Sequence, residues 1–143
     1  MLDLTDLKIV EELRKNARIS MKELGEKVHL TGQATTNRVL KLEENKVIKG
    51  YTVLLDQAKI GYPVHSIITV LMKDYNHKPY LLFTETEQQY IVHNFKISGE
   101  GCYLLECRFP SNEMLDTFLN KLNLIANYRV SIVINDLTLS EQI

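Results

Sequence analysis

Ser20-Met21-Lys22-Glu23-Leu24-Gly25-Glu26-Lys27-Val28-His29-Leu30-Thr31-Gly32-Gln33-Ala34-Thr35-Thr36-Asn37-Arg38-Val39-Leu40-Lys41-Leu42-Glu43-Glu44 is the stretch whose reading decides the fold. Ser20 followed by Glu23 matches a capping box, in which the hydroxyl accepts from a free backbone N–H and the carboxylate reaches back. Met21, Leu24 and Val28 then point inward, with Gly25 beside them. A glycine inside a helix costs up to about 1 kcal/mol, which makes sense where another helix crosses closely. His29-Leu30-Thr31 forms a short turn, and Thr31 caps a further helix that reaches about Glu44. Thr35, Val39 and Leu42 stand at i, i+4 and i+7 and give that helix one buried stripe. Its opposite face carries Gln33, Asn37, Leu40 and Glu44, flanked by Thr36 and Lys41.

Outward from this pair the helical period continues toward the N-terminus. A first helix is expected from about Leu4 to Lys15, with Asp3 as N-cap, Asp6 near its positive end, and Leu7, Val10 and Leu13 (flanked by Ile9) as its apolar stripe. After the third helix, Asn45-Lys46 can turn the chain, and Val47-Ile48-Lys49-Gly50-Tyr51-Thr52-Val53 reads as a two-stranded wing. Two helices, a short turn and a third helix with polar outward residues make a helix-turn-helix pattern.

The chemistry of the third helix suits a reader of duplex DNA. Gln33 and Asn37 each offer a paired donor and acceptor, the geometry that fits adenine in the major groove. Thr36 can give a hydroxyl or a methyl contact, and Lys41 and Arg38 reach toward phosphate or guanine. Thr31 and Gly32, at the helix N-terminus, offer free backbone N–H groups to a phosphate. Lys22 on the second helix and Lys46 and Lys49 on the wing add charge. The same pattern also describes a plain three-helix packing unit, because amides on a helix surface need no special explanation. Arg38 lies at the edge of the buried stripe, so a structural salt bridge competes with a DNA contact.

Beyond residue 52 the period changes. Residues 53–63 read as a connector, leaving residues 1–52 as the DNA-binding domain and 64–143 as a second domain. Strands are expected at 64–73, 90–97, 101–109 and 128–138, with helices at 78–88 and 112–122, the latter capped by Ser111. The order βαββαβ is the ferredoxin-like split unit, so the fold class is α+β. Two helices cover only one face of a four-stranded sheet. Yet Cys102, Leu104, Glu106 and Arg108 alternate with Tyr103, Leu105, Cys107 and Phe109, leaving apolar side chains on both faces. An uncovered, partly apolar face points to pairing with a second copy about a two-fold axis.

Composition excludes several classes. Hydrophobic residues make up 45% and charged residues 24%, an ordinary globular mixture. No apolar run approaches the roughly 18 residues needed to span a bilayer, and the acidic N-terminus is unlike a signal peptide, so a cytoplasmic protein without membrane partners is expected. Net charge is −1, and residues 1–50 carry 10 Lys and Arg against 8 Asp and Glu. DNA binding must therefore rest on local arrangement. Cys102 and Cys107, on one strand, would stand about 16 Å apart on opposite faces, which excludes a disulfide or a shared metal. His29, His65, His77 and His93 fall into no metal spacing, and neither a phosphate loop nor a nucleophile elbow is present. No metal, cofactor or enzymatic activity is expected. His65 and His93, on adjacent segments of the sheet pattern, read as interface or surface residues.

Leu2-Asp3 with Asp6, Asn16-Ala17-Arg18-Ile19-Ser20, Leu24, Arg38-Val39 with Leu42-Glu43, and Val47-Ile48-Lys49-Gly50-Tyr51-Thr52 together resemble the signature of the Lrp/AsnC (feast/famine) transcription regulators. Ile97-Ser98-Gly99-Glu100-Gly101-Cys102-Tyr103 resembles the glycine-containing turn of that family's effector domain. Similarity spans about residues 2–138, nearest to short Lrp-like paralogues of Gram-positive bacteria. The resemblance implies a winged helix-turn-helix joined to a ferredoxin-like, RAM-type domain. It further implies a homodimer through the sheet, assembly to tetramers or octamers that wrap or bend double-stranded DNA, and a small amino acid as effector near Ser98, Gly99, Glu100, Gly101, Cys102 and Tyr103. Many members carry Asp directly before the position of Tyr103, where this chain has Cys102. A neutral thiol cannot hold an ammonium group; Glu100 is the carboxylate that stands nearest to compensate. Two other readings keep part of this scheme: an architectural DNA-binding protein with no effector, and a ligand-sensing or assembly module that binds no DNA.

Overall fold

The computed structural model describes residues 1–139. The chain divides into two compact units, Met1–Leu54 joined by the tail from Leu137, and Leu55–Asp136. The expected second domain ran to the C-terminus; the observed division returns the tail to the first unit, and residues 140–143 lie outside the described residues.

The first unit contains α1 (Leu4–Lys15), α2 (Met21–Val28) and α3 (Gly32–Glu44). Each begins where the sequence supplies a cap. Asp3 and Asp6 form a reciprocal capping box on α1, the Ser20 hydroxyl accepts the Glu23 N–H, and the Thr31 hydroxyl accepts the Ala34 N–H. Ile9, Leu13, Ile19, Leu24, Val39 and Leu42 form the core. The stripe of α1 differs from expectation: Ile9 is fully buried and Leu7 is half exposed. Ile9 and Leu13 share a face at i, i+4, whereas Leu7 lies two positions, about 200°, away from Ile9. Glu12 is also buried on α1, ringed by Lys8, Lys15 and Lys27 at 3.3, 3.5 and 3.9 Å.

The expected two-stranded wing at 47–53 is absent: no residue from Val47 to Leu55 enters a strand. The Val47 and Ile48 N–H groups both donate to the Leu42 carbonyl, which folds the start of the segment back on the end of α3. Among the described residues, none forms a ladder with Gly50–Leu55.

The second unit contains β1 (Val64–Met72), α4 (Lys78–Thr86), a 3-10 turn (Gln88–Tyr90), β2 (Ile91–Lys96), β3 (Tyr103–Phe109), α5 (Asn112–Asn123) and β4 (Ala126–Ile132). The strands form an antiparallel sheet in the order β2-β3-β1-β4, the ferredoxin-like arrangement. Both helices pack on one face, against Ile68, Val70, Tyr103, Leu105, Cys107 and Phe109. Helix α5 contributes Leu115, Phe118, Leu119 and Leu122, while α4 buries only Tyr80. Aromatic contacts knit this layer: Tyr80 stacks on Tyr103 at 4.1 Å and Phe118 meets Phe109 edge-on at 5.1 Å. Burial pushes the Cys107 thiol up to about 12, so it behaves as a small core hydrophobe.

Two element ends differ from the sequence reading. Helix α4 stops at Thr86 and a 3-10 turn replaces its last turn. β4 runs from Ala126 to Ile132 rather than 128–138: its register sets Ile132 against Ser66, so β1, which begins at Val64, has only two residues left beyond that pair, and the His65 carbonyl accepts the Val133 N–H. β1 and β2 are not neighbours; β3 lies between them.

The other face of the sheet carries no helix. It presents Ile67, Thr69 and Leu71 from β1, Leu104 and Arg108 from β3, and Phe95 from β2, in the register Thr69–Leu104–Phe95. At its centre Glu106 bonds two imidazoles, His65 Nε2 at 2.6 Å and His93 Nδ1 at 2.8 Å, and His93 stacks on Phe95.

Candidate nucleic-acid interface

Three features position α3. Gly25 lies at the crossing of α2 with the turn into α3, where a Cβ would come within 2.5 Å of the Leu30 carbonyl oxygen and 2.9 Å of Thr35 Oγ1. The glycine expected to permit a close approach does so. His29 closes α2 in the left-handed region at φ 61°, which aims the chain into the turn. Lys46 closes α3 at φ 58°, taking the left-handed position where either Asn45 or Lys46 had to tolerate a turn.

An ion pair then fixes the azimuth of α3. Arg38 Nη1 donates to both carboxylate oxygens of Asp3 at 2.8 and 2.7 Å and to Asp6 Oδ1 at 3.1 Å. The guanidinium thereby ties α3 to the N-cap of α1, and it holds the Asp3 carboxyl below its usual range. Of the two readings open for Arg38, the structure shows the intramolecular salt bridge.

With Thr35, Val39 and Leu42 turned into the core, Gln33, Asn37, Leu40 and Lys41 are exposed. Gln33 Nε2 donates to Asn37 Oδ1 at 3.4 Å, so two amides lie side by side along one strip of the helix. Thr36 is only partly accessible and its hydroxyl donates back to the Gly32 carbonyl at 2.9 Å, leaving its methyl and one lone pair outward. Thr31 is exposed and Gly32 half-buried at the N-terminus, and Gly32 lies near the backbone of Lys22 at the start of α2. Lys22, Lys46 and Lys49 are exposed. The arrangement offers amides and a lysine on one convex strip, with basic residues around it.

In the second unit the glycine turn lies between β2 and β3. Gly99 and Gly101 adopt φ 97° and 105°, and a Cβ on Gly101 would stand 2.7 Å from Thr69 Cγ2. The Cys102 N–H donates to the Val70 carbonyl at 2.7 Å, which pins the turn to β1. Tyr103 is buried and bonds His77 Nδ1 at 2.8 Å. Ser98 and Glu100 point into solvent, and Arg129 donates to Glu100 at 3.3 Å. Cys102 instead joins the segment Met72–His77 around a cavity. Sequence reasoning missed that segment; no spacing relates residue 74 to residue 102, and only packing brings them together.

Comparison with known proteins gives a consistent family assignment for both units. Residues 2–49 match the family model described as winged helix-turn-helix DNA-binding. The HTH-type transcriptional regulator LrpA of Bacillus subtilis is 54% identical over 134 residues, covering 94% of this chain and 98% of that protein. The regulator LrpC of the same organism is 38% identical over 84% of this chain and 83% of its own length. The solved structure of B. subtilis LrpC superposes with a TM-score of 0.87 at 35% identity, covering 96% of this chain and 98% of that one. A transcriptional regulator from Neisseria meningitidis, solved in complex with L-methionine, shares the fold at a TM-score of 0.89 and 23% identity, over 96% and 93% of the two chains.

Proposed function

The chain belongs to the Lrp/AsnC family of helix-turn-helix transcriptional regulators, and from that membership we propose that it grips double-stranded DNA through α3 as a homodimer paired by its open sheet face, under the control of a small amino acid. The observation that carries this reading is the strip of Gln33, Asn37 and Lys41, exposed on a helix whose other side is locked by Arg38 and the Thr35–Leu42 stripe. Gln33 and Asn37 read base edges, Lys41, Lys22 and Lys49 meet phosphates, and the backbone at Thr31 and Gly32 receives a phosphate at the helix N-terminus. Arg38 serves by holding α3 in place.

A two-fold pair presents two such helices to successive major grooves, about 34 Å apart. Each copy makes few base contacts, so specificity is loose and partly set by the ease of bending the duplex. Further assembly to tetramers or octamers multiplies these weak contacts. The apolar groups of the open sheet face, exposed Phe95 with half-buried Leu104 beside it and half-buried Ile67 on β1, support pairing there. A relative of the same fold is solved with L-methionine, which supports a small amino acid as the effector class. We assign its place in this chain to the glycine turn from Ser98 to Tyr103, where Glu100 is drawn toward Arg129. Cys102 favours a second reading, an effector-independent architectural protein, since the thiol supplies no charge.

A duplex titration at increasing salt tests the DNA reading. Affinity is expected to fall linearly on logarithmic axes with a slope of about −0.9 per phosphate neutralised, and Lys41→Ala should reduce that slope by about 1. Retention that ignores salt, or no duplex binding at low salt, overturns it in favour of an assembly module.

A further inference from the structure

Cys102 opens onto a cavity of about 430 Å3 lined by Met72, Lys73, Asp74, Tyr75 and His77, at the C-terminal end of β1. This volume lies within the range of small-molecule sites. Three observations define what it takes. Asp74 is exposed; the Tyr75 N–H donates to its Oδ1 at 2.6 Å, and it joins no ion pair among the described residues. Lys73, the neighbouring cation, is drawn away: its Nζ donates to the Asn123 carbonyl at 2.7 Å, at the end of α5. Glu100, the carboxylate nearest to Cys102 in sequence, does not line the cavity and is held by Arg129.

We infer that Asp74 supplies the carboxylate that binds the ammonium group of an α-amino acid in this cavity, in the role Glu100 was expected to fill. The inference rests on the reading of the second unit as an amino-acid sensor and assigns its charge-recognising residue. The other end of such a ligand also finds a partner. His77 lines the cavity with its Nδ1 held 2.8 Å from the Tyr103 hydroxyl, so Nε2 is the ring nitrogen left to meet the ligand's carboxylate. Met72 and the fully exposed ring of Tyr75 offer apolar surface to an aliphatic or thioether side chain. Cys102, a neutral neighbour, leaves room beside that side chain instead of competing for the ammonium.

Calorimetric titration of the full chain with L-methionine and L-leucine tests the assignment. Asp74→Asn should weaken binding by about tenfold or more, because a charge-assisted hydrogen bond becomes a neutral one. Since Asp74 is exposed, the variant should keep the wild-type melting curve. The deaminated analogue 4-methylthiobutanoate should bind wild type and Asp74→Asn equally poorly, which ties the loss to the ammonium group. If the wild type binds an amino acid and Asp74→Asn binds it equally well, or Glu100→Gln is the variant that loses it, the assignment to Asp74 falls while the sensor reading stands. If the wild type binds neither amino acid, the sensor reading falls and takes the assignment with it.

Discussion

On the outer face of α3, Gln33, Asn37 and Lys41 stand exposed, and the two amides share only one long hydrogen bond of 3.4 Å. On the open face of the sheet, Glu106 is already bonded by two imidazoles at 2.6 and 2.8 Å, with apolar Leu104 beside it on the strand and Ile67 across from it. The difference follows from what each surface is to meet. A surface that reads DNA must keep its donors and acceptors available for base edges and phosphates. A surface that is to be buried against another copy gains by satisfying its charges beforehand, because an unpaired buried polar group costs more than a made hydrogen bond returns. The first unit obeys the same logic internally: Arg38, the cation nearest the core of α3, is spent on Asp3 and Asp6, while Lys41, one turn further out, is left open.

The contrast is broken most severely by placing an unpaired charge on the sheet face. Leu104 lies between Thr69 and Phe95 on that face, half-buried already. Leu104→Asp should shift the protein from dimer to monomer in light scattering, raising the dissociation constant by about a hundredfold or more, since a buried carboxylate without a partner costs several kcal/mol. Circular dichroism should show the secondary structure retained. A Leu104→Asp protein that remains fully dimeric would place the pairing surface elsewhere.

A smaller change sharpens the comparison from the DNA side. Asn37→Ala removes an exposed amide without touching the core, so the thermal midpoint should stay that of the wild type while specific duplex affinity drops by about 1–3 kcal/mol. Arg38→Ala should do the reverse in kind: it lowers the thermal midpoint because Asp3 and Asp6 lose their cation, and any loss of DNA affinity follows from the displaced helix. Equal DNA affinity for wild type and Asn37→Ala, measured by fluorescence anisotropy, would remove Asn37 from the reading strip.

What was legible in the sequence was what local chemistry decides. Asp3, Ser20, Thr31 and Ser111 mark helix starts because each side chain closes a bond within three residues, and all four caps are formed. The alternation of Tyr103, Leu105, Cys107 and Phe109 with Leu104, Glu106 and Arg108 sorted β3 into two faces, since a strand's period of two needs no knowledge of its neighbours, but which face is buried came only with the helices that cover it. The illegible features all depend on a partner distant in sequence. β4 cannot reach residue 138 because β1 begins at Val64, two residues beyond the Ser66–Ile132 pair, and the apolar run Tyr51–Leu55 has the composition of a strand without a ladder. The loyalty of Arg38 could be narrowed to two alternatives and no further, because the choice depends on how α1 approaches α3. Asp74 carries no local signal at all. Its interest comes from Lys73 being drawn to α5 and Glu100 to Arg129.

The smallest effect concerns acid. Arg38 beside Asp3 lowers the Asp3 carboxyl, first through its hydrogen bond and then with help from the Asp6 N–H. For Glu106, desolvation pushes the carboxyl up, yet the hydrogen bonds from His93 and His65 together outweigh it and leave the group below its usual range. A carboxyl lowered in the folded state contributes stability that is present above its unfolded value, near about pH 4, and is lost as pH falls through the folded value. Both clusters therefore weaken on the acid side, one in each unit. The urea midpoint, followed from pH 7 down to about pH 3, should decline less steeply in Asp3→Asn and in Glu106→Gln than in the wild type. The effect of Asp3→Asn should be the smaller and should fade in high salt, because Asp3 is itself exposed and its ion pair is screened, whereas Glu106 is half-buried between its two imidazoles. An Asp3→Asn variant whose acid slope matches the wild type at low salt would show that the Arg38 clamp orients α3 without stabilising the first unit.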